Sequence, residues 1–395
     1  MRTQPQDVIA KLEADNSRLA KEKILLDAMN EGLDEFFEGL KMCLDKLYTF
    51  GVKQVPTKDE VVAGQGCPWN VFKDLAEKLY NRELTGHNAR DAINLVMSSA
   101  TAEQWNGFYR RILIKDLRCG VSEKTVNSVA KKNKFGKYMV PVFTCQLAHD
   151  SANHEKKLVG KKMLEVKLDG VRTLAIVHPD GKVDMLSRNG KEFTNFGHIQ
   201  DEISAVVKQD PPPYPLVLDG EVMSENFQDL MKQVHRKGSA NAKDAVLHLF
   251  DFIPLDDFKK GKWDKTQTMR TAMLKAWYQK HDTNLNAVRV LDHEIVNLDT
   301  PEGQTTYTEV NKRAVQGGYE GIMIKDLEAP YECKRSHAWL KLKPFIEVSL
   351  EIKATEEGTG RNVGKLGALI CEGVDDGKKI KTNVGSGLSD DNRDK

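Results

Sequence analysis

The chain has 395 residues with a formal net charge of +1, and 40% of its residues are hydrophobic and 30% charged. This composition is typical of a globular protein with two or three domains. No apolar run reaches transmembrane length and no secretory signal begins at Met1, which argues against a membrane partner and favours a cytoplasmic location.

Cysteine spacing argues against a disulfide framework and against a cysteine-based zinc site. The six cysteines are scattered, and none forms a Cys-x-x-Cys pair or pairs with a histidine at zinc-ligand spacing. We therefore expect reduced thiols.

Residues 1–138 are predicted to form a helical domain, because apolar residues recur at the spacing of amphipathic helices. The clearest runs occupy residues 8–26, 33–47, 71–79, 88–96 and 105–114. Capping-box patterns at residues 57–60 and 101–104 predict two helix starts, and Ser122 is predicted to cap the last helix.

A basic segment closes this region. Between residues 110 and 137 there are nine basic residues and two acidic ones, a local net charge of +7. Such an excess predicts contacts with a nucleic-acid backbone, without base readout, since no helix carries a base-reading signature. A plain helical bundle is the alternative. The predicted DNA-binding residues of the segment are Arg110, Arg111, Lys115, Arg118 and Lys124.

Residues 139–346 are predicted to form an α+β domain in which most strands pair antiparallel. Strands are predicted at residues 164–166, 174–177, 183–186, 216–218, 246–252, 288–290 and 322–324. Helices are predicted at residues 198–207, 227–234 and 269–280.

Residues 347–395 are predicted to contain only strands, about three of them. A small barrel needs about five strands to close, so we expect an incomplete barrel. The glycine-rich stretch 357–364 is not a phosphate-binding P-loop, because Leu366 stands where a metal-binding Ser or Thr is required.

The stretch 165–172, Glu-Val-Lys-Leu-Asp-Gly-Val-Arg, places Lys167 at the end of one predicted strand and Arg172 at the start of the next. Asp169 and Gly170 between them form a typical turn dipeptide. An amine in this position can attack a phosphate once it has lost its proton, and neighbouring cations favour that loss. A solvated hairpin with ordinary surface charges is the alternative.

Further residues of chemical interest lie at strand ends or turns. They are Arg188, Glu221, Phe250, Glu320, Lys341 and Lys343. Gathered on one sheet face, they would supply cations for phosphates, two carboxylates for Mg²⁺ and an aromatic plate for a base. The two acids could instead be ordinary surface residues, and Phe250 could belong to the core.

Taken together and in this order, these elements resemble the covalent nucleotidyltransferase superfamily, and specifically the ATP-dependent DNA ligases. Within that family the chain is most similar to the ligases of large tailed bacteriophages. The stretch 334–343, Lys-Arg-Ser-His-Ala-Trp-Leu-Lys-Leu-Lys, also resembles cellular replicative ligases. The likeness covers nearly the whole chain and implies a C-terminal OB-fold barrel, here truncated, after the helical and nucleotidyltransferase domains (residues 1–138, 139–346 and 347–395).

The resemblance implies ATP as substrate and Mg²⁺ as the metal. Lys167 would attack the α-phosphate and become a lysyl-adenylate, and AMP would then pass to the 5′-phosphate of a nick before the 3′-hydroxyl displaces it. The implied ATP-binding residues are Glu165, Lys167, Arg172, Arg188, Glu221, Phe250, Lys341 and Lys343.

Individual roles follow from the same resemblance. Glu165 would bind the adenine amino group and Phe250 would stack on the base. Arg172 and Glu221 would hold the ribose, and Arg188 would also contact DNA at the 5′-phosphate. The implied metal ligands are Glu221 and Glu320, and the implied α-phosphate ligands are Lys341 and Lys343.

Two other functions remain open at this point. RNA ligases and capping guanylyltransferases share Lys-x-Asp-Gly, although the large helical domain and Glu165 argue against both. A nick-binding remnant without catalysis is the second alternative, because Arg393-Asp394-Lys395 lacks the spacing of the element that normally ends the barrel. We expect nicked duplex DNA as partner, a monomer, and a role in DNA replication, repair or recombination with proteins that the sequence does not identify. If phage-encoded, the protein would act in the cytoplasm of a bacterial host.

Overall fold

The computed structural model describes residues 1–62, 64–225, 243–343, 348–375 and 377–394. The chain divides into two compact units, Met1–Leu342 and Lys343–Lys395. The helix predicted at residues 227–234 lies outside the described residues. The domain boundary predicted after residue 138 falls within the first unit and stays a prediction.

The first unit begins with helices, as the apolar spacing predicts. Their bounds are α1 Pro5–Ala14, α2 Arg18–Glu31, α3 Asp34–Leu44, α4 Trp69–Tyr80, α5 Gly86–Ser99, α6 Ala102–Gln104, α7 Arg110–Leu113 and α8 Glu123–Lys132. A π-helical turn, Trp105–Tyr109, joins α6 to α7. The predicted capping box of Thr101 and Gln104 starts α6, and Ser122 caps α8 as predicted.

The capping pattern at residues 57–60 does not start a helix, so that prediction is wrong. Lys58 is only 6% exposed. Its Nζ donates hydrogen bonds to the carbonyls of Met97, Ser98 and Ala100. Carbonyls at a helix end have no partner within the helix. Lys58 therefore caps the C-terminus of α5, and the segment around it stays irregular.

Two five-stranded sheets follow in the same unit. Their strands and those of a short ribbon are β1 Leu147–Asp150, β2 Lys161–Lys167, β3 Val171–Val177, β4 Val183–Ser187, β5 Leu216–Met223, β6 Val246–Pro254, β7 Lys262–Trp263, β8 Val288–Val290, β9 Glu294–Asn297, β10 Gly321–Asp326, β11 Tyr331–Glu332 and β12 Arg335–Leu342. The sheet orders are β1-β12-β10-β2-β9 and β4-β3-β5-β6-β8, and β7 pairs with β11. Pairing is antiparallel except for β1 with β12 and β6 with β8, so the sheets are mixed and mostly antiparallel.

Helices pack against both sheets. They are α9 Gly197–Gln209, α10 Leu255–Lys260, α11 Gln267–His281 and α12 Pro301–Gln316. One apolar cluster joins α9 and α11 to the β3–β5–β6 sheet, and another joins α12 to β2 and β10. A third, with Val217 and Trp339 among its members, draws residues from both sheets. The strands are thereby buried on two sides, which explains their apolar runs.

The second unit contains a three-stranded antiparallel sheet. Its elements are β13 Glu351–Glu357, β14 Leu366–Asp375, β15 Lys378–Val384 and the short helix α13 Asp390–Asp394. Arg393 of α13 donates hydrogen bonds to the carbonyls of Leu366, Gly367 and Gly385. Three strands agree with the predicted number, and residues 348–375 and 377–394 form no closed barrel. The OB-fold assignment is therefore not confirmed.

Among the described residues, no helix combines the length and apolar character that a membrane crossing requires. All six cysteines are free, as the spacing predicts.

Candidate active site

A tight turn links the two sheets and positions Lys167. Strand β2 ends at Lys167 and β3 begins at Val171, so the turn carries the chain from one sheet into the other. A Cβ atom at Gly170 would lie 2.3 Å from the carbonyl oxygen of Val222 in β5. Only glycine allows this close approach. The Asp-Gly dipeptide of the sequence thus sets the distance between the lysine-bearing turn and β5.

Lys167 is paired with Glu320. The backbone N–H of Glu320 donates to the carbonyl of Lys167 at 3.2 Å, just before β10 pairs with β2 at Gly321 and Lys167. The same register brings the Glu320 carboxylate to Lys167 Nζ, which donates a hydrogen bond to Oε2. Both side chains remain partly exposed. Ladder pairing therefore fixes an amine and a carboxylate side by side.

Glu221 lies next to this pair. It is the direct cross-strand neighbour of Arg172. Burial raises the pKa of Glu221 to about 7, against the opposing effect of Lys167 and Arg172, and the Glu320 carboxylate adds to the increase. A carboxyl group that titrates near neutral pH in a cleft is typical of a functional site. Glu221 and Glu320 together form a donor set of two carboxylates that suits Mg²⁺.

Arg172 is held rigidly by Asp219. Its Nε and Nη2 each lie 2.6 Å from one oxygen of the fully buried Asp219 carboxylate, and Nη2 also donates to the carbonyl of Gln146 at 2.9 Å. The Tyr331 hydroxyl donates to the same carboxylate at 2.7 Å. Burial would lower the pKa of Arg172, but Asp219 keeps it well above its usual value. The guanidinium is therefore charged and has one orientation.

The deepest part of the site contains a buried ion pair and two aromatic rings. Glu165 and Lys325 are 5% and 2% exposed, and their Oε1 and Nζ atoms are 2.5 Å apart. Burial raises the pKa of Glu165, while Lys325 opposes the increase. Lys325 Nζ also lies 4.6 Å from the ring centre of Phe250 and 4.5 Å from that of Trp339. A carboxylate that can bind the polar edge of a nucleotide base and an aromatic ring that can stack on its face therefore lie side by side.

These residues line one pocket between the two sheets. Seven predicted ATP-binding residues line it, namely Glu165, Lys167, Arg172, Arg188, Glu221, Phe250 and Lys341. Glu320 joins them through its hydrogen bond to Lys167. Lys343 is the first residue of the second unit, so its role stays a prediction.

Three residues of the site were not predicted. Asp219 interrupts an apolar strand, and an acid at such a position signals a buried partner. Alternation along β10 puts Lys325 on the same face as Met323, which pairs with Glu165. The same alternation puts Trp339 on the same face of β12 as Lys341, which lies two residues later.

The basic segment is only partly available to DNA, because the side chains of three predicted DNA-binding residues make hydrogen bonds within the helical part. Lys115 Nζ donates to the carbonyls of Met42, Asp45 and Tyr48. An ammonium group has three hydrogens, so none is left for a phosphate. Burial also lowers the pKa of Lys115 to about 8.

Arg110 and Arg111 are likewise engaged within the helical part. Arg110 donates to the carbonyl of Val55 at 2.8 Å. Arg111 donates to the carbonyl of Leu117 at 3.0 Å and to Glu13 at 2.9 Å. Arg118 and Lys124 are exposed, as are the later basic residues Lys131, Lys132, Lys134 and Lys137. Among the nine basic residues of the segment, all the exposed ones therefore follow Lys115.

Comparisons with known proteins identify the family of the chain. A family model described as ATP dependent DNA ligase domain matches residues 145–343, which contain every residue of the pocket. A solved structure named Pmar-Lig_PreS3 is 59% identical, with a TM-score of 0.63, covering 99% of this chain and 90% of that one.

Curated relatives are more distant. The DNA ligase of Enterobacteria phage T6 is 23% identical over 351 residues, which span 79% of this chain and 69% of the relative. The DNA ligase of Methanococcoides burtonii is 29% identical over 253 residues, which span 60% of this chain and only 42% of the relative. The family match and the strand-by-strand placement of the pocket residues lead to one conclusion: the chain belongs to the ATP-dependent DNA ligases.

Proposed function

We propose that this protein seals nicks in duplex DNA at the expense of ATP, through a lysyl-adenylate on Lys167. The observation that carries the proposal is the pocket itself. It brings Lys167 together with carboxylates, cations and an aromatic ring that are far apart in the sequence. The RNA ligase, capping and remnant alternatives have no comparable support, since the matching family model and the named relatives are DNA ligases.

In the first step Lys167 Nζ forms a bond to the α-phosphorus of ATP, and the bond from that phosphorus to the bridging oxygen breaks to release pyrophosphate. Glu320 accepts a hydrogen bond from the same Nζ. It holds the amine in place and is the nearest acceptor for its proton. Lys341, which lines the pocket, is suited to neutralising the α-phosphate.

The adenosine part of ATP would occupy the deep side of the pocket. Glu165 would accept a hydrogen bond from the adenine amino group, and Phe250 would stack on the base. Arg172 and Glu221, which face each other across β3 and β5, would hold the ribose. The rigid Arg172–Asp219 pair supports this role, because the guanidinium keeps one orientation.

Glu221 and Glu320 are the residues that would hold Mg²⁺. The metal would offset negative charge on the triphosphate and on the transferring phosphoryl group. Both carboxylates neighbour Lys167, and the Glu221 proton would be released when a cation binds.

In the second step AMP passes from Lys167 to the 5′-phosphate of the nick, as the phosphorus–nitrogen bond breaks and a phosphoanhydride forms. In the third, the 3′-hydroxyl oxygen attacks the 5′-phosphorus and AMP leaves. Arg188 lies at the exposed edge of the pocket, a suitable place to contact the 5′-phosphate. Arg118 and Lys124 would contact the phosphate backbone of the duplex.

We further propose that the three strands of the second unit belong to an OB-type fold and that Lys343 contributes to phosphate binding. We expect the protein to act as a cytoplasmic monomer.

The decisive experiment is intact-mass measurement after incubation with ATP and Mg²⁺, repeated with GTP. Addition of one AMP, located on Lys167 by peptide mapping, is the expected result with ATP and not with GTP. If no mass is added, sealing of a pre-adenylylated nick is measured next. Sealing there would restrict the protein to the last step, and its absence would contradict the proposed function.

A further inference from the structure

Three histidines that play no part in the proposed ligation chemistry lie together beside the pocket. They are His149 at the end of β1, His154 between two 3-10 turns, and His337 in β12. Their ring centres are 4.3 to 4.6 Å apart. One nitrogen from each ring lies within 4.8 Å of the others. His149 and His154 are half-buried and His337 is exposed.

The local backbone explains this convergence. Strands β1 and β12 pair in parallel, but their register shifts between Ala148 and His149, whose partners are Ser336 and Leu340. At this bulge β12 therefore has residues that pair with no residue of β1, and His337 is one of them. Bulges redirect side chains in this way and are common next to functional sites.

The contact between two of the imidazoles is compatible with metal binding, which requires an unprotonated ring nitrogen. His337 Nε2 and His154 Nδ1 are 3.1 Å apart and share a hydrogen bond. One of the two nitrogens must then be an acceptor, so this pair is not fully protonated.

We propose that His149, His154 and His337 form a binding site for a transition-metal ion of the Zn²⁺ class. Three imidazoles with a remaining position for water are a common zinc ligand set, and imidazole nitrogen also suits Ni²⁺ and Co²⁺. The three residues include no carboxylate, which disfavours Mg²⁺. The site is thus chemically distinct from the two carboxylates beside Lys167.

The geometry needs only side-chain adjustment. Tetrahedral zinc with Zn–N distances of about 2.05 Å requires nitrogens roughly 3.4 Å apart. The His154–His337 pair, at 3.1 Å, is close to that separation already. Arg335 and Lys157 carry positive charge near the cluster and would weaken the binding. A bound ion would fasten β1, β12 and the segment 151–157 to one another.

The test is a titration of the metal-free full chain, without a polyhistidine tag, with Zn²⁺ in excess Mg²⁺. We expect one equivalent to bind, as measured by competition with a chromophoric chelator. His149→Gln, His154→Gln and His337→Gln should each weaken this binding by more than about tenfold, since even outer-sphere changes at metal sites cost about 10- to 100-fold. Exposed His87 in α5 provides the matched control, and H87Q should bind like the parent chain.

Co²⁺ provides a second readout that identifies the ligand atoms. Imidazole ligation should give a weak visible absorption band that disappears in His337→Gln, a variant whose exposed position should leave folding intact. A strong near-ultraviolet charge-transfer band would show binding by cysteine thiolates and overturn the proposal. Absence of Zn²⁺ binding by the parent chain would also overturn the proposal. Binding by the three variants as strong as that of the parent chain would overturn it as well. None of these outcomes bears on adenylylation of Lys167.

Discussion

The nucleotide pocket and the basic segment were both predicted from charged residues, and they differ in how those charges are used. In the pocket, residues from seven strands and from the ends of two more converge on one space. In the segment, Lys115 points inward and binds carbonyls, while Lys124 is exposed. A strand alternates its two faces with a period of two, so sequence indicates which side chains share a face. A net charge of +7 carries no such information.

The largest effect expected in the pocket is from Lys167→Ala. Loss of the nucleophile should reduce lysyl-adenylate formation by about 10⁴-fold or more, because no other group can form the covalent intermediate. Intact mass after incubation with ATP measures it. Lys161→Ala, an exposed lysine on the same strand, should react normally. An adenylate that persists in Lys167→Ala would end the assignment.

Lys115→Ala tests the inward part of the basic segment. Removing the ammonium leaves three carbonyls without their donor, so the free energy of unfolding should fall by about 2–3 kcal/mol. Urea denaturation of this variant and of Lys124→Ala makes the comparison direct. Lys124→Ala should stay within about 0.5 kcal/mol of the parent chain. If the two variants were equally stable, the hydrogen bonds of Lys115 would not stabilise the fold, and Lys115 would again be a candidate for DNA contact.

Glu221→Gln sharpens the description of the pocket through its pH dependence. The folded chain retains the Glu221 proton up to a pKa of about 7, whereas the unfolded chain releases it near 4.5. Folded protein therefore binds more protons in this window, and this group's contribution to stability falls as pH rises from 4.5 to 7. Adenylylation at limiting Mg²⁺ should rise over the upper part of the same range, because the metal needs the carboxylate.

In Glu221→Gln, stability and adenylylation should both depend less on pH. Thermal unfolding and single-turnover adenylylation between pH 5.5 and 8.5 can detect this change. An unchanged pH profile would show that Glu221 does not titrate there.

The smallest effect is expected at the exposed end of the basic segment. Binding to nicked duplex should weaken steeply with salt, and Lys124→Ala should reduce the slope of log K against log salt by about 0.9. Fluorescence anisotropy at several salt concentrations measures both slopes. If Lys124→Ala and the parent chain had the same salt slope, Lys124 would not contact DNA. If binding by the parent chain did not depend on salt, no residue of the basic segment would contact the DNA backbone.

The same contrast explains what sequence could predict. Lys167, Glu221 and Glu320 were predicted from places at expected strand ends or turns, and ladder pairing brings them together, although Glu221 lies within β5. Lys325 was not predicted, because a lysine within an apolar strand shows no sign of its partner Glu165, which lies on another strand. Lys58 and Lys115 were misjudged because their partners are carbonyls of distant loops and helix ends. Sequence patterns record no such contacts.

The Arg172–Asp219–Tyr331 arrangement is held together entirely by groups of the chain itself. The rotational freedom of that arginine is therefore lost during folding and not during ATP capture. A nucleotide that enters the pocket meets a guanidinium in a fixed position, so selection between ligands depends there on complementarity to Arg172 and not on its rearrangement.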